Sequence, residues 1–141
     1  MRVSVGLLEE RASVEVELSG GAFVDTEGKR FGPGRYRFAS EVTLIPSDSA
    51  SCAFALDDVT IGIGFHWQRQ ERQVFRGALR LIGGNAGLIA INDVALEDYV
   101  TSVISSEMSA SCPLELLKAH AVISRSWVLS PRAARARAVI T

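Results

Sequence analysis

The side chains that could carry acid–base chemistry lie in the last third of the chain, and Glu107 is the most informative of them. At about 100° per residue, a helix through this region places Leu96, Val100 and Ile104 on one apolar stripe, and Glu107 falls within it. Desolvation and the negative end of the helix dipole would both raise the pKa of a carboxyl group held there. A carboxyl group that stays protonated near neutral pH can protonate a glycosidic oxygen. The alternative is that Glu107 lies past the helix end in a solvated turn, and periodicity alone leaves both possibilities open.

A second helical pattern adds cations to the same region. Lys118 and Arg125 fall in the middle of one apolar stripe, and His120 lies beside a second apolar stripe on the opposite side. A helix that is apolar on two sides is expected to be central and sandwiched. Cations on such a face normally find a carboxylate, for which Glu107 is the candidate, or their long side chains extend outward to solvent. The first stripe contains Leu114, Leu117, Ala121 and Val128, and the second contains Leu116, Ile123 and Trp127.

Other kinds of chemistry have weak support in the sequence. A zinc site is disfavoured because no pair among the cysteines and histidines has metal-ligand spacing. The serines form no G-x-S-x-G elbow, and the glycines at 83, 84 and 87 do not lead a strand into a helix as in phosphate-binding loops. We therefore expect no metal and no cofactor, and two free thiols at Cys52 and Cys112.

Composition and charge exclude several classes of protein. The 141 residues are 48% hydrophobic and 22% charged with a net charge of −1, which is typical of an ordinary globular domain. Residues 113–141 carry five basic residues against Glu115 alone, but no aromatic residues interleave with Arg132, Arg135 and Arg137, so nucleic acid is not an expected partner. No stretch of 18 apolar residues exists, so no transmembrane segment is expected.

The elements that must position these side chains change character at about residue 94. Before it, short alternating segments such as residues 14–18 and frequent glycine turns predict an antiparallel β-rich unit, with one strand expected over residues 74–82. After it, Asn92 or Asp93 is placed to cap a first helix, and Pro113 opens a second, long helix that ends near Leu129. The prediction is an α+β fold in which two helices follow the β-rich unit and the second helix is central.

Four segments resemble proteins of the SpoIID/LytB-domain family. Residues 91–100 (INDVALEDYV) resemble the family's N-x-x-x-L-E-D-Y-L, and residues 106–115 (SEMSASCPLE) look like S/A-E-M-P-A-S-W-P-L-E. Residues 117–127 (LKAHAVISRSW) look like L-K-A-Q-A-V-A-A-R-T-Y, and residues 75–79 (FRGAL) resemble Y-R-G-S-L. The resemblance divides the chain into a β-rich part (1–60), a SpoIID/LytB-like catalytic core (61–130) and a basic tail or truncated domain end (131–141).

The resemblance implies cell-wall chemistry. Family members cleave the glycan strands of peptidoglycan by a lytic transglycosylase mechanism that leaves 1,6-anhydro-muramyl ends. By motif position, Glu107 would be the catalytic acid/base, and Ser106, Lys118, His120 and Arg125 would contact substrate. The implied partners are glycan strands and other cell-wall hydrolases, and the implied location is the cell envelope, although no signal peptide is visible.

Departures from the family pattern keep other interpretations open. Cys112 stands where the family has tryptophan, and His120 stands where it has glutamine. Family members also continue well beyond the arginine helix, so the chain is expected to be a fragment of a longer member. The alternatives are a non-catalytic wall-binding or amidase-enhancing module, and a structural β/α fragment whose catalytic partner segments lie elsewhere.

Overall fold

The computed structural model describes residues 1–61, 66–109 and 111–130, and for Ile61, Ser106 and Glu107 it describes the backbone alone. Within these ranges the chain forms ten strands followed by two helices, which confirms the predicted α+β class. In chain order the elements are β1 Arg2–Arg11, β2 Val14–Ser19, β3 Phe23–Val24, β4 Arg30–Phe31, β5 Gly34–Phe38, β6 Val42–Pro46, β7 Ala53–Ile61, β8 Arg69–Phe75, β9 Ala78–Gly83, β10 Leu88–Ala95, α1 Leu96–Glu107 and α2 Leu114–Val128.

The strands form two antiparallel sheets. The six-stranded sheet has the order β1-β10-β9-β6-β3-β4, and the four-stranded sheet has the order β5-β2-β7-β8. In β10 the buried positions alternate with half-buried ones, as expected for a strand between two neighbours with one face toward the core. This strand pairs Asn92 with Val5 of β1 and with Leu79 of β9. Because β10 runs directly into α1, its register sets where the first helix begins.

Side chains from both sheets pack into one hydrophobic cluster. In β2 the alternation predicted from sequence is confirmed, since Val14, Val16 and Leu18 are buried while Glu15 and Glu17 face outward. On the outer face, Arg72 of β8 pairs with Glu17 at 3.0 Å. The cluster holds the two sheets together. Its fully buried large members include Phe23, Phe54, Leu18, Leu44, Leu56, Leu79 and Leu81.

The expectation of one strand over residues 74–82 is wrong, because the chain turns at Gly77 between β8 and β9. Gly77 has φ +91°, in the region that side chains rarely adopt. A Cβ there would lie 2.5 Å from the carbonyl oxygen of Asp93. The side-chain amide of Asn92 closes the turn by donating hydrogen bonds to the carbonyl oxygens of Arg76 (2.8 Å) and Ala78 (3.0 Å). The turn therefore requires a residue without a side chain and packs directly against β10.

The expected capping of α1 by Asn92 or Asp93 is also wrong. The N-cap residue is Ala95, which makes no side-chain cap, and the backbone N–H of Leu96 donates to the carbonyl oxygen of Met1. Asp93 instead accepts hydrogen bonds from Ser4 and, at 3.1 Å, from Arg80, on the surface of the sheet. Both residues belong to β10, so sheet pairing takes precedence over the local cap.

The position of α2 is not the central one expected from its two apolar sides. It lies at the C-terminal side of the fold, and Ser124 is its one buried residue. Val128 packs against a small core cluster formed by Val5, Val94 and Tyr99. The large hydrophobic side chains of the α2 region that stay exposed are Leu114, Leu116, Val122, Ile123, Trp127 and Leu129.

Candidate active site

The candidate site lies at the C-terminal end of α1, where the backbone of Ser106 and Glu107 completes the last turn. The backbone N–H of Met108 donates to the carbonyl oxygen of Ile104 at 2.9 Å and closes the helix. Met108 itself is extended, so the helix ends immediately after residue 107. Of the two possibilities that periodicity left open, the backbone shows the helix that reaches Glu107. The side chains of Ser106 and Glu107, and hence the predicted orientation of the carboxyl group, lie outside the described atoms.

The two helices are tied together by an ion pair that the sequence did not reveal. The Nε and Nη2 atoms of Arg125 donate to the two carboxylate oxygens of Glu97 at 2.9 and 2.7 Å. Such a bidentate pair fixes distance and orientation at once. It joins the first turn of α1 to the last turn of α2 and so fixes the relative placement of the helices.

This pair also shifts the pKa of both of its members. The hydrogen bond from Arg125 lowers the pKa of Glu97 below its ordinary value, although desolvation acts in the opposite direction. The same contact raises the pKa of Arg125. Both groups therefore stay ionised at neutral pH, and Arg125 keeps three further N–H donors beyond the two that bind Glu97.

The other predicted contact residues lie on α2. Lys118 is exposed, and its ammonium group lies 3.2 Å from a carboxylate oxygen of Glu115 one turn earlier. An exposed pair of this kind contributes little and exchanges readily with solvent or ligand. His120 is half-buried, on the turn of α2 that follows. The pairing of Lys118 or Arg125 with Glu107 involves a side chain outside the described atoms.

The connection between the helices is short and internally bonded. Residues 108–113 join α1 to α2, and residue 110 lies outside the described part. The backbone N–H of Cys112 donates to the carbonyl oxygen of Ser109, and the hydroxyl groups of Ser109 and Ser111 lie 2.8 Å apart. Pro113 is the residue that precedes α2, and its carbonyl oxygen accepts the N–H groups of Leu116 and Leu117. A turn at one end and the ion pair at the other thus hold α1 and α2 as one unit.

The described residues give no sign of a metal centre or a membrane span. They contain no group of three or more metal-ligating side chains close enough to share an ion. Cys52 is buried, Cys112 is half-buried, and neither takes part in a disulfide in this part of the chain. No described helix has the length and apolarity needed to cross a bilayer.

Comparison with known proteins finds a family that is similar to the helical region of this chain. Residues 84–140, about two fifths of the chain, match the SpoIID family, described as Stage II sporulation protein. The matched segment includes β10, α1 and α2. The match agrees with the resemblance seen in the sequence, and it supports a role related to sporulation and the cell wall.

A curated relative that matches part of this chain is a much longer protein. An uncharacterized protein of Brachyspira hyodysenteriae (strain ATCC 49526 / WA1) is 40% identical over 55 residues. These residues make up 39% of this chain and 15% of that protein. No solved structure matches the chain.

Proposed function

We propose that this chain carries the catalytic core of a peptidoglycan lytic transglycosylase that works in the cell envelope, with Glu107 as its acid/base. The observation that carries the proposal is the SpoIID-family match over residues 84–140, which includes the Glu107-Met108 dipeptide and both helices. In line with it, α1 ends at Glu107, and the last turn of that helix contains no basic residue. The negative end of the helix dipole is then not offset by a cation of the same helix, which favours a protonated carboxyl group.

A single carboxyl group is sufficient for this reaction. An ordinary glycosidase needs a second carboxylate to activate water or to act as nucleophile. In the proposed reaction Glu107 donates its proton to the glycosidic oxygen as the C–O bond breaks. The resulting carboxylate accepts the proton of the 6-hydroxyl group of the same muramyl residue, and that oxygen bonds to the anomeric carbon to give the 1,6-anhydro ring. Intramolecular attack gains its advantage from proximity, without a bound water.

The neighbouring residues would position the strand. In this proposal Lys118 exchanges its weak contact with Glu115 for a saccharide oxygen, while Ser106 and His120 contribute hydrogen bonds to substrate. Arg125 holds the two helices in register through Glu97 and can direct its remaining N–H groups to the strand. The proposed catalytic core covers residues 61–130, with residues 1–60 as its β-rich support and residues 131–141, which lie outside the described part, as a basic tail or domain end.

A second candidate function is an amidase-enhancing or wall-binding module without catalysis. One observation favours it: α2 leaves Leu116, Ile123 and Trp127 exposed along one side. Large apolar side chains that are exposed together on one side of a helix are typical of sites that bind other proteins. In this alternative the partner would be another cell-wall hydrolase.

One variant and its matched control distinguish the two proposed functions. Glu107→Gln keeps the size of the side chain and removes the proton donor, so it should abolish release of anhydro-muramyl products from glycan strands stripped of peptides. Glu115→Gln is the matched control, since Glu115 is an exposed glutamate of the same two-helix unit, and it should retain activity. If Glu107→Gln and the unchanged chain release no anhydro product but stimulate an amidase equally, the enhancer function is correct and catalysis is not.

A further inference from the structure

A cavity of about 400 Å³ lies between the end of β8 and the first half of α1. Small-molecule sites in proteins typically have volumes of about 300–1,000 Å³, so this cavity can hold one sugar-sized group. Among the described residues that line it, the charged ones are Arg76 and Asp98. They do not form an ion pair with each other, although they share the cavity. Their formal charges cancel, which favours a neutral ligand.

Asn92 supplies the cavity with a hydrogen-bond acceptor. This residue lines the cavity and is 3% exposed. Its Nδ2 atom donates to the carbonyl oxygens of Arg76 and Ala78, and because both partners are acceptors the amide nitrogen must face the β8–β9 turn. Oδ1 therefore faces away from the turn, and no described residue donates to it. Buried side-chain oxygens are normally paired, so a ligand in the cavity can provide the missing donor.

Two further polar groups on α1 are available to a ligand. Asp98 and Ser102 both line the cavity and are exposed, and they lie four positions apart on the same face of the helix. Neither side chain has a hydrogen-bond or ion-pair partner among the described residues. On the opposite wall, Arg76 donates from Nη1 to the carbonyl oxygen of Ala50 at 3.0 Å, which anchors the guanidinium group and leaves other N–H donors unused.

The wall of the cavity also has an apolar part. Val74 lines it with 63% of its surface exposed, and the rings of Phe75 and Tyr99 lie beside it. Apolar side chains that combine with a few convergent polar groups in a concave surface are characteristic of ligand sites. The ligand that fits this wall is neutral, both donates and accepts hydrogen bonds, and carries a small apolar group.

We propose that this cavity is an accessory site for an N-acetylated hexosamine unit of a glycan strand. The acetamido N–H would donate to Oδ1 of Asn92, its carbonyl oxygen would accept from Arg76, and its methyl group would contact Val74. The ring hydroxyl groups would then donate to the carboxylate of Asp98 and bond to the hydroxyl of Ser102. The choice of an N-acetylated glycan over other neutral ligands rests on the proposed function.

The site is separate from the candidate acid. Residues 98 and 107 are nine positions apart in α1, which is roughly 14 Å along the axis and about two and a half turns. The two positions therefore lie on opposite sides of the helix, and the sugar bound at Asp98 is not the one whose bond is cleaved. Contacts of this kind hold the polymer equally in the ground state and the transition state, so they lower KM and leave kcat unchanged.

The test is an NMR titration of the isotope-labelled chain with N,N′-diacetylchitobiose. The backbone amides of Arg76, Thr101 and Ser102 should shift saturably, and cellobiose, which has the same linkage without acetamido groups, should bind at least fivefold more weakly. Asp98→Asn and Arg76→Gln should each weaken binding by about five- to tenfold. Ser102→Tyr fills the cavity from an exposed helix position and should abolish these shifts. Arg37→Gln is the matched control, because Arg37 is an exposed arginine of β5 that does not line the cavity, and it should change binding by less than about twofold.

Three results would overturn the proposal. They are the absence of saturable shifts at the cavity, equal binding of cellobiose, and binding that the Asp98 and Arg76 variants do not weaken. The Glu107→Gln variant should show the same shifts at the cavity as the unchanged chain. A chain that binds the disaccharide here but releases no anhydro product would therefore retain the accessory site and refute the proposed catalysis, so the two proposals fail independently.

Discussion

The clearest quantitative consequence of the fold concerns Gly77, the residue of the turn between β8 and β9. Gly77 and Gly28 have nearly the same backbone angle, with φ of +91° and +86°. They differ in their surroundings, since a Cβ at Gly28 meets nothing within 4 Å. At Gly77 it would lie 2.5 Å from the carbonyl oxygen of Asp93 and 3.1 Å from the Cα of Val94. Substitution of each glycine by alanine therefore separates the cost of the backbone angle from the cost of the contact.

The expected magnitudes follow from these two terms. A left-handed angle costs an alanine about 1–2 kcal/mol, and Gly28→Ala should lower the free energy of unfolding by that amount. Gly77→Ala carries the same cost plus that of overpacking against backbone, which adds about 1–3 kcal/mol because β10 must move to relieve the contact. The total for Gly77→Ala is about 2–5 kcal/mol.

The assay is urea unfolding of the two variants and the unchanged chain, followed by circular dichroism and by tryptophan fluorescence. The free energies are compared at equal m-values, so that a change in the denatured state is not mistaken for a change in stability. If Gly77→Ala is no less stable than Gly28→Ala, then the turn does not pack against β10 in the way described. The placement of Arg76 beside α1 would then be wrong as well.

Three further predictions follow from individual contacts. Asn92→Ala removes the side-chain donor to two backbone carbonyl groups at the β8–β9 turn and should lower the free energy of unfolding by about 2 kcal/mol in urea titration. Because Arg125 lowers the pKa of Glu97 in the folded state, the stability from this carboxylate is fully present above its ordinary pKa of 4.5 and is lost as pH falls through the lowered value. The Tm of the unchanged chain should exceed that of Glu97→Gln by about 3 °C at pH 7, and the gap should close in acid; a gap that widens in acid would contradict the ion pair. Trp127→Gln should change the free energy of unfolding by less than about 0.5 kcal/mol, because the indole is exposed, and a larger loss would show that α2 is covered.

The spacing of apolar residues along the sequence predicted much of the fold, because it indicates which face of a strand or helix is buried. The alternation in residues 14–18 gave β2 and its inward residues, and the apolar stripe from Leu96 to Ile104 gave a helix that does reach residue 107. The break at Gly77 was missed because residues 74–82 are rich in apolar residues on both sides of it, and the turn depends on contacts with β10, which is distant in sequence.

The residues and elements that contact each other were harder to predict from the sequence than the buried face of each element. Arg125 was expected among cations that need a carboxylate, but periodicity does not identify which one, and Glu97 lies 28 positions away on another helix. A glutamate in the first turn of one helix and an arginine in the last turn of the next were the available indication. The two apolar sides of α2 predicted a central helix, whereas the described structure leaves one side exposed. An apolar pattern indicates that a helix face can pack against another element, but it does not identify that element.

The central claim is that the Glu107 carboxyl group cleaves the glycan strand with no water as nucleophile. Its most direct test is digestion of peptide-free glycan strands in water enriched in a heavy oxygen isotope, followed by mass spectrometry of the new chain ends. The account predicts anhydro-muramyl ends that carry no heavy oxygen, formed by the unchanged chain and lost in Glu107→Gln. Reducing ends that contain the heavy isotope would contradict it, as would anhydro ends formed equally well by the variant.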